Sequence, residues 1–332
     1  MTFVPFQHAD SIGDRFLSLL RKHDIDPLVG SSFEDELLSL TQLIEITKNP
    51  NFAVGERQDE VMQTAAGVYD FAAKVLSAEP LSEFESFLPH LRLIAQKKIA
   101  TASLSQNVTS AYDDDTARKM SELYMGCLAA HVGTEVDLDS PSAAKGDNPD
   151  VIFKTRPFLD EVEQPTKSWA LAIKTISSNK GQTIFERIKE GAKQIQSPLC
   201  KTNHGMVLIN AKNAIDHQAL STSTFSTLTE AMDALGAQLT KLSESANLDR
   251  PQIEWENIFT DKVKRPVLFL GQTLVYLPTP FNSRTPTPLK MLMAYDANGT
   301  LDPQAKELAC LLNHKMQTIL HGIPGGHGVP PS

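Results

Sequence analysis

The sequence predicts an α/β protein in which an N-terminal helical domain precedes a mixed sheet flanked by helices. Apolar residues recur at three- and four-residue spacing through the first hundred residues, which is typical of amphipathic helices. Between about Ser110 and Asn210 the pattern becomes helix, strand, strand, strand, helix, strand. A hairpin and a helix extend this core toward the C-terminus. We therefore expect a helical domain at residues 1–105 and an α/β domain at residues 106–332, with its core at 110–210.

The helical domain contains no motif that carries chemistry. Its clearest periodic stretch runs from Val61 to Leu76, and similar patterns occupy Phe33–Ile46 and Phe84–Ile99. Helices of this kind bury one apolar stripe against one another. Recognition, dimerisation and regulation all stay open as roles for this domain.

The core elements follow from local pattern. A helix runs to about His131, where short strand candidates begin. The expected strands are Thr134–Leu138, Asp150–Phe153, Ser168–Ser177 and Met206–Asn210, with a helix at Gln182–Gln196 before the last of them. Further elements are a helix at Thr222–Leu242, a hairpin within Pro266–Leu277, a strand at Met291–Tyr295 and a helix at Pro303–Leu320. The hairpin is expected to turn on Gly271-Gln272, since glycine suits the first central position of a type II′ turn.

Composition limits the class of protein. The 332 residues are 41% hydrophobic and 21% charged, as in soluble globular proteins. No run approaches the roughly 20 apolar residues that cross a bilayer, and the first residues lack the features of a secretory signal. The three cysteines form no CxxC or Cys/His cluster, which favours reduced thiols and argues against structural zinc. We expect a cytoplasmic protein without a membrane partner.

The charge of the chain is uneven. Its net charge is −9, yet Lys167–Lys212 holds eight cations and only two anions, a local charge of +6 that leaves −15 for the remainder. A basic segment in an acidic protein is the pattern expected of a localised polyanion site. A solvated helix face with its adjoining loops is the alternative explanation.

Two polar residues stand against apolar strands. Lys174 comes late in Ser168–Thr175, where alternation places it on one face with Ala170 and Ala172. Asp150 follows Pro149 at a strand entrance. Buried charges are costly unless they are paired, so both residues are site candidates. The alternatives are a strand-end lysine that extends to water and an aspartate that caps a turn.

Glu122 is a third candidate. It is the only charged residue from Met120 to Val132, in a helix apolar nearly all round and hence expected to be buried on both sides. A carboxylate there needs a cation, a metal or a raised pKa. The alternative is a glutamate that faces solvent.

Together these residues resemble the PD-(D/E)XK nuclease superfamily, which has the restriction-endonuclease-like fold. The matching pieces are Glu122, Pro149-Asp150 and Ala172-Ile173-Lys174, followed by the helix and strand described above. The resemblance covers about a third of the chain. It implies a divalent-metal-dependent endonuclease that hydrolyses DNA, with a prokaryotic type II restriction enzyme as one form, double-stranded DNA as the partner, and room for a homodimer.

The resemblance also implies roles for residues. Asp150, helped by Glu122, would bind Mg²⁺ (or Mn²⁺), and the metal would activate water and stabilise charge on the scissile phosphate. Lys174 would orient the attacking water or neutralise the transition state. Residues of the following helix would grip the nucleic-acid backbone; these are Lys189, Lys193 and Gln194.

The sequence departs from the superfamily pattern at one position, and this departure leaves two interpretations of the domain. Ala172 stands where the family has an acid that shares the face of Lys174. Either the acid has moved to the next helix, where Glu186 or Glu190 would serve as catalytic and metal-binding residue, or the domain is an inactive binding module in a defence or secretion assembly. An interaction protein without nuclease ancestry is the third hypothesis.

Overall fold

A computed structural model describes residues 10–48, 58–96, 111–141, 148–155, 166–248, 250–278 and 284–320. The chain divides into two compact units, which are Met1–His131 with His314–Ser332 (unit 1) and Val132–Asn313 (unit 2). The helix Ala111–Ala130 belongs to unit 1, and the division at residue 105 stays a prediction. Within the described ranges, no helix is both long and apolar enough to cross a membrane.

Unit 1 is helical, as the periodicity predicts. Its helices are α1 (Asp10–Lys22), α2 (Ser32–Lys48), α3 (Gln58–Ala78), α4 (Leu88–Gln96) and α5 (Ala111–Ala130), with a 3₁₀ turn at Ser82–Phe87. The long helix α3 packs against α1, α2 and α5, and its small residues Ala65 and Ala72 are fully buried. Alanines allow close packing of several helices around one, which explains why the apolar residues of α3 are not confined to a narrow stripe.

Unit 2 contains one six-stranded mixed sheet in the order β1-β2-β3-β4-β5-β6. The strands are β1 (Thr134–Leu138), β2 (Val151–Thr155), β3 (Lys167–Thr175), β4 (His204–Asn210), β5 (Val267–Pro278) and β6 (Arg284–Tyr295). The helices are α6 (Gly181–Gln196), α7 (His217–Thr222), α8 (Leu228–Asn247), α9 (Gln252–Glu256) and α10 (Pro303–Thr318), whose last turn falls in unit 1. The pairs β3/β4 and β4/β5 are parallel, and the other pairs are antiparallel.

The central strand β3 is buried on both faces. Alternation places Trp169, Leu171 and Ile173 on one face and Ala170 and Ala172 on the other, and all five are at most 2% exposed. Strands covered on both sides are expected in the parallel part of a sheet. Helix α6 covers the alanine face of β3, and α8 packs over β5 and β6, so the expectation of an α/β protein with a mixed sheet and flanking helices is confirmed.

The predicted hairpin turn at Gly271 is wrong. Residue 271 lies inside the continuous strand β5, which pairs with β6. A Cβ at this position would come within 3.0 Å of Leu239 Cδ1 on α8, so the glycine is explained by close packing of a helix on the strand. Interior glycines of strands often mark such approaches.

The helix expected at Thr222–Leu242 also differs, because α7 ends at Thr222 and α8 begins only at Leu228. Thr227 caps α8 by accepting a hydrogen bond from the Glu230 N–H, and the Glu230 carboxylate accepts one from the Ser226 N–H. This reciprocal arrangement is a form of the capping box, and it fixes the start of the helix.

The outer strand β6 forms one edge of the sheet. Leu292 donates its N–H to the Asn313 side chain, so this N–H points away from β5. N–H groups two residues apart point the same way in a strand, and the outward positions therefore include Pro286 and Pro288. Proline is tolerated at such positions because it has no N–H to place in the ladder.

A half-buried histidine in unit 1 makes the stability of the protein depend on pH. His131 Nε2 lies 2.9 Å from Ser77 Oγ, and burial, with Lys315 and Lys74 nearby, lowers the pKa of His131 from 6.5 to about 4. Between these values the unfolded chain binds a proton that the folded chain does not. The free energy of unfolding should therefore fall as pH falls from 6.5 toward 4.

Substituting His131→Gln should reduce this pH dependence, because glutamine does not titrate. Urea unfolding at several pH values between 4 and 7 would measure the slope, with His314→Gln at an exposed position as the control. Parallel slopes for wild type and His131→Gln would contradict the prediction.

Candidate nucleic-acid site

The structure brings Asp150 and Lys174 together at one edge of the sheet. Lys174 Nζ lies 3.9 Å from Asp150 Oδ2. Asp150 comes immediately before β2, and Lys174 is the penultimate residue of β3. Because the two strands are antiparallel neighbours, the start of one lies beside the end of the other. From the sequence, only the resemblance to the nuclease superfamily indicated that Asp150 and Lys174 lie on neighbouring strands. The structure shows the pairing of the two strands and the distance between the two side chains.

Asp150 is held in place by backbone hydrogen bonds. Its N–H donates to the Leu171 carbonyl at 3.0 Å, and its Oδ2 accepts from the Ile173 N–H at 2.6 Å. These two peptide groups flank Ala172. A carboxylate that accepts from a backbone N–H forms a strong charge-assisted bond, so the Asp150 carboxylate is fixed beside Ala172 and is only 10% exposed.

Packing explains why position 172 carries no acid. Ala172 is fully buried, and Gly191 of α6 lies directly over it. A Cβ at Gly191 would be 3.4 Å from Ala172 Cβ and 2.9 Å from Val207 Cγ1. The helix thus approaches the sheet as closely as its own glycine permits, and a longer side chain at position 172 would have no room.

Glu122 belongs to unit 1, and its carboxylate is used there. Lys119 Nζ donates to both oxygens, at 3.0 and 2.8 Å, and His90 Nε2 lies 3.2 Å from Oε2. Only 4% of the Glu122 side chain is exposed. The sequence correctly indicated a buried carboxylate that needs a cation, and the cation is Lys119, one position outside the apolar run. A role for Glu122 in binding a metal stays a prediction.

The proposed migrated acids lie on the outer face of α6. The residues that face the sheet from this helix include Ile184, Ile188 and Ala192. Glu186 and Glu190 are each two positions from Ile188, about 200° around the helix. Glu186 accepts from Gln182 at 2.9 Å, and Glu190 pairs with Arg187 at 2.8 Å. The structure therefore does not direct either carboxylate toward the face on which α6 meets Ala172.

Two of the three predicted backbone-gripping residues are exposed. Lys189 and Lys193 lie one turn apart on α6 and form no ion pair with any side chain among the described residues. They line a cleft of about 180 Å³ together with Phe185, Glu254 and Ile258. Gln194, by contrast, is buried, so it does not share this surface as the sequence had suggested. Its position, one residue from the buried Ile195, turns it inward.

The residues present do not form a resident Mg²⁺ site. Mg²⁺ prefers hard oxygen ligands and near-octahedral geometry. Asp150 offers one carboxylate, whose Oδ2 already accepts a hydrogen bond and lies 3.9 Å from an ammonium group. Ala172 supplies no ligand. No group of three or more His, Cys, Asp or Glu side chains arranged to hold a metal occurs in the part of the chain that the structure describes.

Sequence reasoning missed three polar residues at the same edge of the sheet, which are Thr175, Asn210 and Lys212. All three are at least nine-tenths buried. They stand at or just after the ends of β3 and β4. The sequence does contain a signal for them, because each apolar strand ends in polar residues. In open α/β sheets, ligands bind beyond the carboxyl ends of parallel strands, so polar residues at these positions are site candidates.

Comparison of the chain with protein-family models, with characterised proteins and with solved structures gives no significant match. The functional assignment therefore depends on the geometry of the residues.

An acid at position 172 should destabilise the fold rather than complete a metal site. In Ala172→Glu, the carboxylate would have to enter a packed, apolar contact, at a cost of about 3 kcal/mol or more from overpacking and burial of charge. Urea unfolding would measure the loss, with Ala219→Glu on the exposed side of α7 as a control that changes stability little. A variant as stable as wild type would show that α6 can move away from the sheet.

Proposed function

We propose that unit 2 acts on nucleic acid as a nuclease-type domain, with double-stranded DNA as the first candidate. The observation that carries the proposal is the pair Asp150 and Lys174, 3.9 Å apart where two adjacent strands begin and end. This juxtaposition is the one that the resemblance to PD-(D/E)XK nucleases implies. The order α5, β1, β2, β3, α6, β4 is also the order implied.

The basic surface of α6 supports a polyanionic partner. Lys189 and Lys193 are exposed and flank a cleft whose lining includes the apolar Phe185 and Ile258. Cations one helical turn apart can contact successive phosphates of a backbone, and phosphate contacts supply most of the affinity in non-sequence-specific binding. The excess of six positive charges in Lys167–Lys212 favours the same partner.

Binding without a resident metal is the form of this function that the site supports best. The place of the family's third-motif acid is filled by the contact between Ala172 and Gly191. Glu186 and Glu190 lie on the outer face of α6, and Glu122 is paired within unit 1. A single fixed carboxylate is a weak start for a metal site, so we favour a nuclease-fold binding module, as in a defence or secretion assembly.

Hydrolysis of DNA is the second candidate, and the retained Asp150–Lys174 pair favours it. The resemblance gives these two positions to the metal-binding acid and to the lysine that orients the attacking water. Mg²⁺ is often held by one or two carboxylates together with substrate phosphates. An endonuclease of this kind would therefore recruit the cation with its substrate.

The double variant Lys189→Ala/Lys193→Ala should weaken DNA binding in a salt-dependent way. Each lost phosphate contact reduces the slope of log K against log salt by about 0.9, so the double variant should lose about 1.8 from the slope. Fluorescence anisotropy with a labelled duplex at several salt concentrations would measure it. Lys241→Ala/Lys306→Ala removes two exposed lysines outside α6 and serves as the control. Equal slopes for both double variants would remove α6 from the interface.

Plasmid cutting separates the two candidates. We expect no difference in nicking between Mg²⁺ and EDTA for the wild type, because the carboxylates needed for a resident metal do not converge. Cutting that requires Mg²⁺ and is lost in both Asp150→Asn and Lys174→Met would establish the endonuclease instead. Single replacement of Glu186 and of Glu190 would then show whether either acid takes part.

A further inference from the structure

The carboxyl ends of β3 and β4 lie side by side. Thr175 and Asn210 are register partners at the last positions of the two parallel strands, and the Ile176 N–H continues the ladder by donating to the Asn210 carbonyl at 3.1 Å. Thr175 follows Lys174, so alternation places the two side chains on opposite faces of the sheet. The edge therefore presents Asp150 and Lys174 on one side and Thr175 and Asn210 on the other.

The hydroxyl of Thr175 is buried without a partner. The residue is 9% exposed, and its Oγ1 has no hydrogen bond within the described structure. Most buried polar side-chain atoms are satisfied, and each exception calls for an explanation such as a bound ligand. An unsatisfied hydroxyl inside a protein costs about 1–3 kcal/mol. The burial of this group is readily explained if it bonds a ligand.

The turn after β4 contains a buried lysine and several hydrogen bonds. The Asn210 side-chain oxygen accepts from the Lys212 N–H at 3.2 Å, and Lys212 itself is 7% exposed. His217 Nε2 lies 2.6 Å from the Lys212 carbonyl, and His217 Nδ1 lies 3.0 Å from Thr273 Oγ1. A carbonyl only accepts, so Nε2 carries the proton and Nδ1 accepts from Thr273. Burial lowers the pKa of His217, which keeps this neutral arrangement.

We propose that Thr175, Asn210 and Lys212 form a phosphate subsite at the carboxyl ends of β3 and β4, with Thr175 and Asn210 on the face of the sheet opposite to the Asp150–Lys174 pair. The inference rests on the proposed function, and the ligand is a backbone phosphate of the bound nucleic acid. A hydroxyl and an amide can donate to phosphate oxygens, and the ammonium supplies the charge. The location agrees with the rule that open α/β sheets bind ligands beyond the carboxyl ends of their strands.

A phosphate fits these residues better than a cation does. Lys212 lies two residues from Asn210 and would repel a metal, and no acidic residue is among the three. Lys174 points to the opposite face of β3, where it lies 3.9 Å from the carboxylate of Asp150, so the charge of the subsite comes from Lys212. The subsite thus extends the polyanion surface beyond α6 by residues that the family resemblance does not supply.

The test is Thr175→Val, which removes the hydroxyl and keeps the shape of the side chain. Because the hydroxyl has no protein partner, its replacement by a methyl group removes the cost of an unsatisfied buried polar group. We therefore expect the urea midpoint of the ligand-free protein to rise above the wild-type value. We expect affinity for a DNA duplex to fall about tenfold, as for loss of a hydrogen bond to a charged group, with the salt slope unchanged because no cation is removed. Inorganic phosphate should raise the Tm of the wild type and raise that of the variant less.

Thr202→Val is the matched control. Thr202 is a buried threonine two residues before the start of β4, and its Oγ1 lies 3.2 Å from Cys200 Sγ. This variant should lose stability and keep its affinity for DNA. Lys212→Gln provides a second probe and should lower both the DNA affinity and the Tm shift with phosphate.

The outcomes separate the two proposals. A lower urea midpoint for Thr175→Val would show that the hydroxyl has a structural role and would overturn the subsite, as would unchanged affinities for both DNA and phosphate. If the wild type binds no DNA but shows a phosphate-dependent Tm shift that Thr175→Val reduces, the subsite stands for free phosphate and the nucleic-acid function fails. A wild type that responds to neither ligand overturns the subsite.

Discussion

The close contact between α6 and the sheet is the constraint on which the rest of unit 2 depends. Gly191 lies over Ala172 and Val207, and Gly205 allows Ile195 to approach in the same way. Small residues on both surfaces let the helix cover β3 and β4 tightly. This packing buries the alanine face of β3 and turns the charged residues of α6 outward. The same contact that stabilises the domain therefore decides which side chains can reach the edge where Asp150 and Lys174 meet.

The two units manage buried charge in different ways. In unit 1, Glu122 is compensated by Lys119, and Lys74 by Asp70 and the Ile319 carbonyl. Breaking such buried pairs is costly, because the remaining charge loses its partner. In unit 2, Asp150 Oδ2 accepts a hydrogen bond from the Ile173 N–H at 2.6 Å, and Lys174 Nζ lies 3.9 Å from the same oxygen.

Much of the fold could be predicted from the sequence, because the spacing of apolar residues in most helices and strands matches the faces that the structure buries. The strand around Lys174 and the strand after Asp150 were predicted because their apolar runs are short and bounded by polar residues. Gly271 was predicted to lie in a turn because a single glycine in the sequence is compatible with both a turn and a strand interior. Only the packing of Leu239 of α8 against position 271 distinguishes the two. The partner His90 of Glu122 and the burial of Thr175 depend on residues distant in sequence. No local pattern contains that information.

The outer edge of β6 has a consequence for assembly. Three outward positions offer no N–H to another strand, because Pro286 and Pro288 have none and that of Leu292 is taken by Asn313. Addition of a further strand requires a row of available donors and acceptors. This side of the sheet is therefore closed to growth by backbone pairing, and neither a second copy of the chain nor an extended peptide can lengthen the sheet there without losing hydrogen bonds.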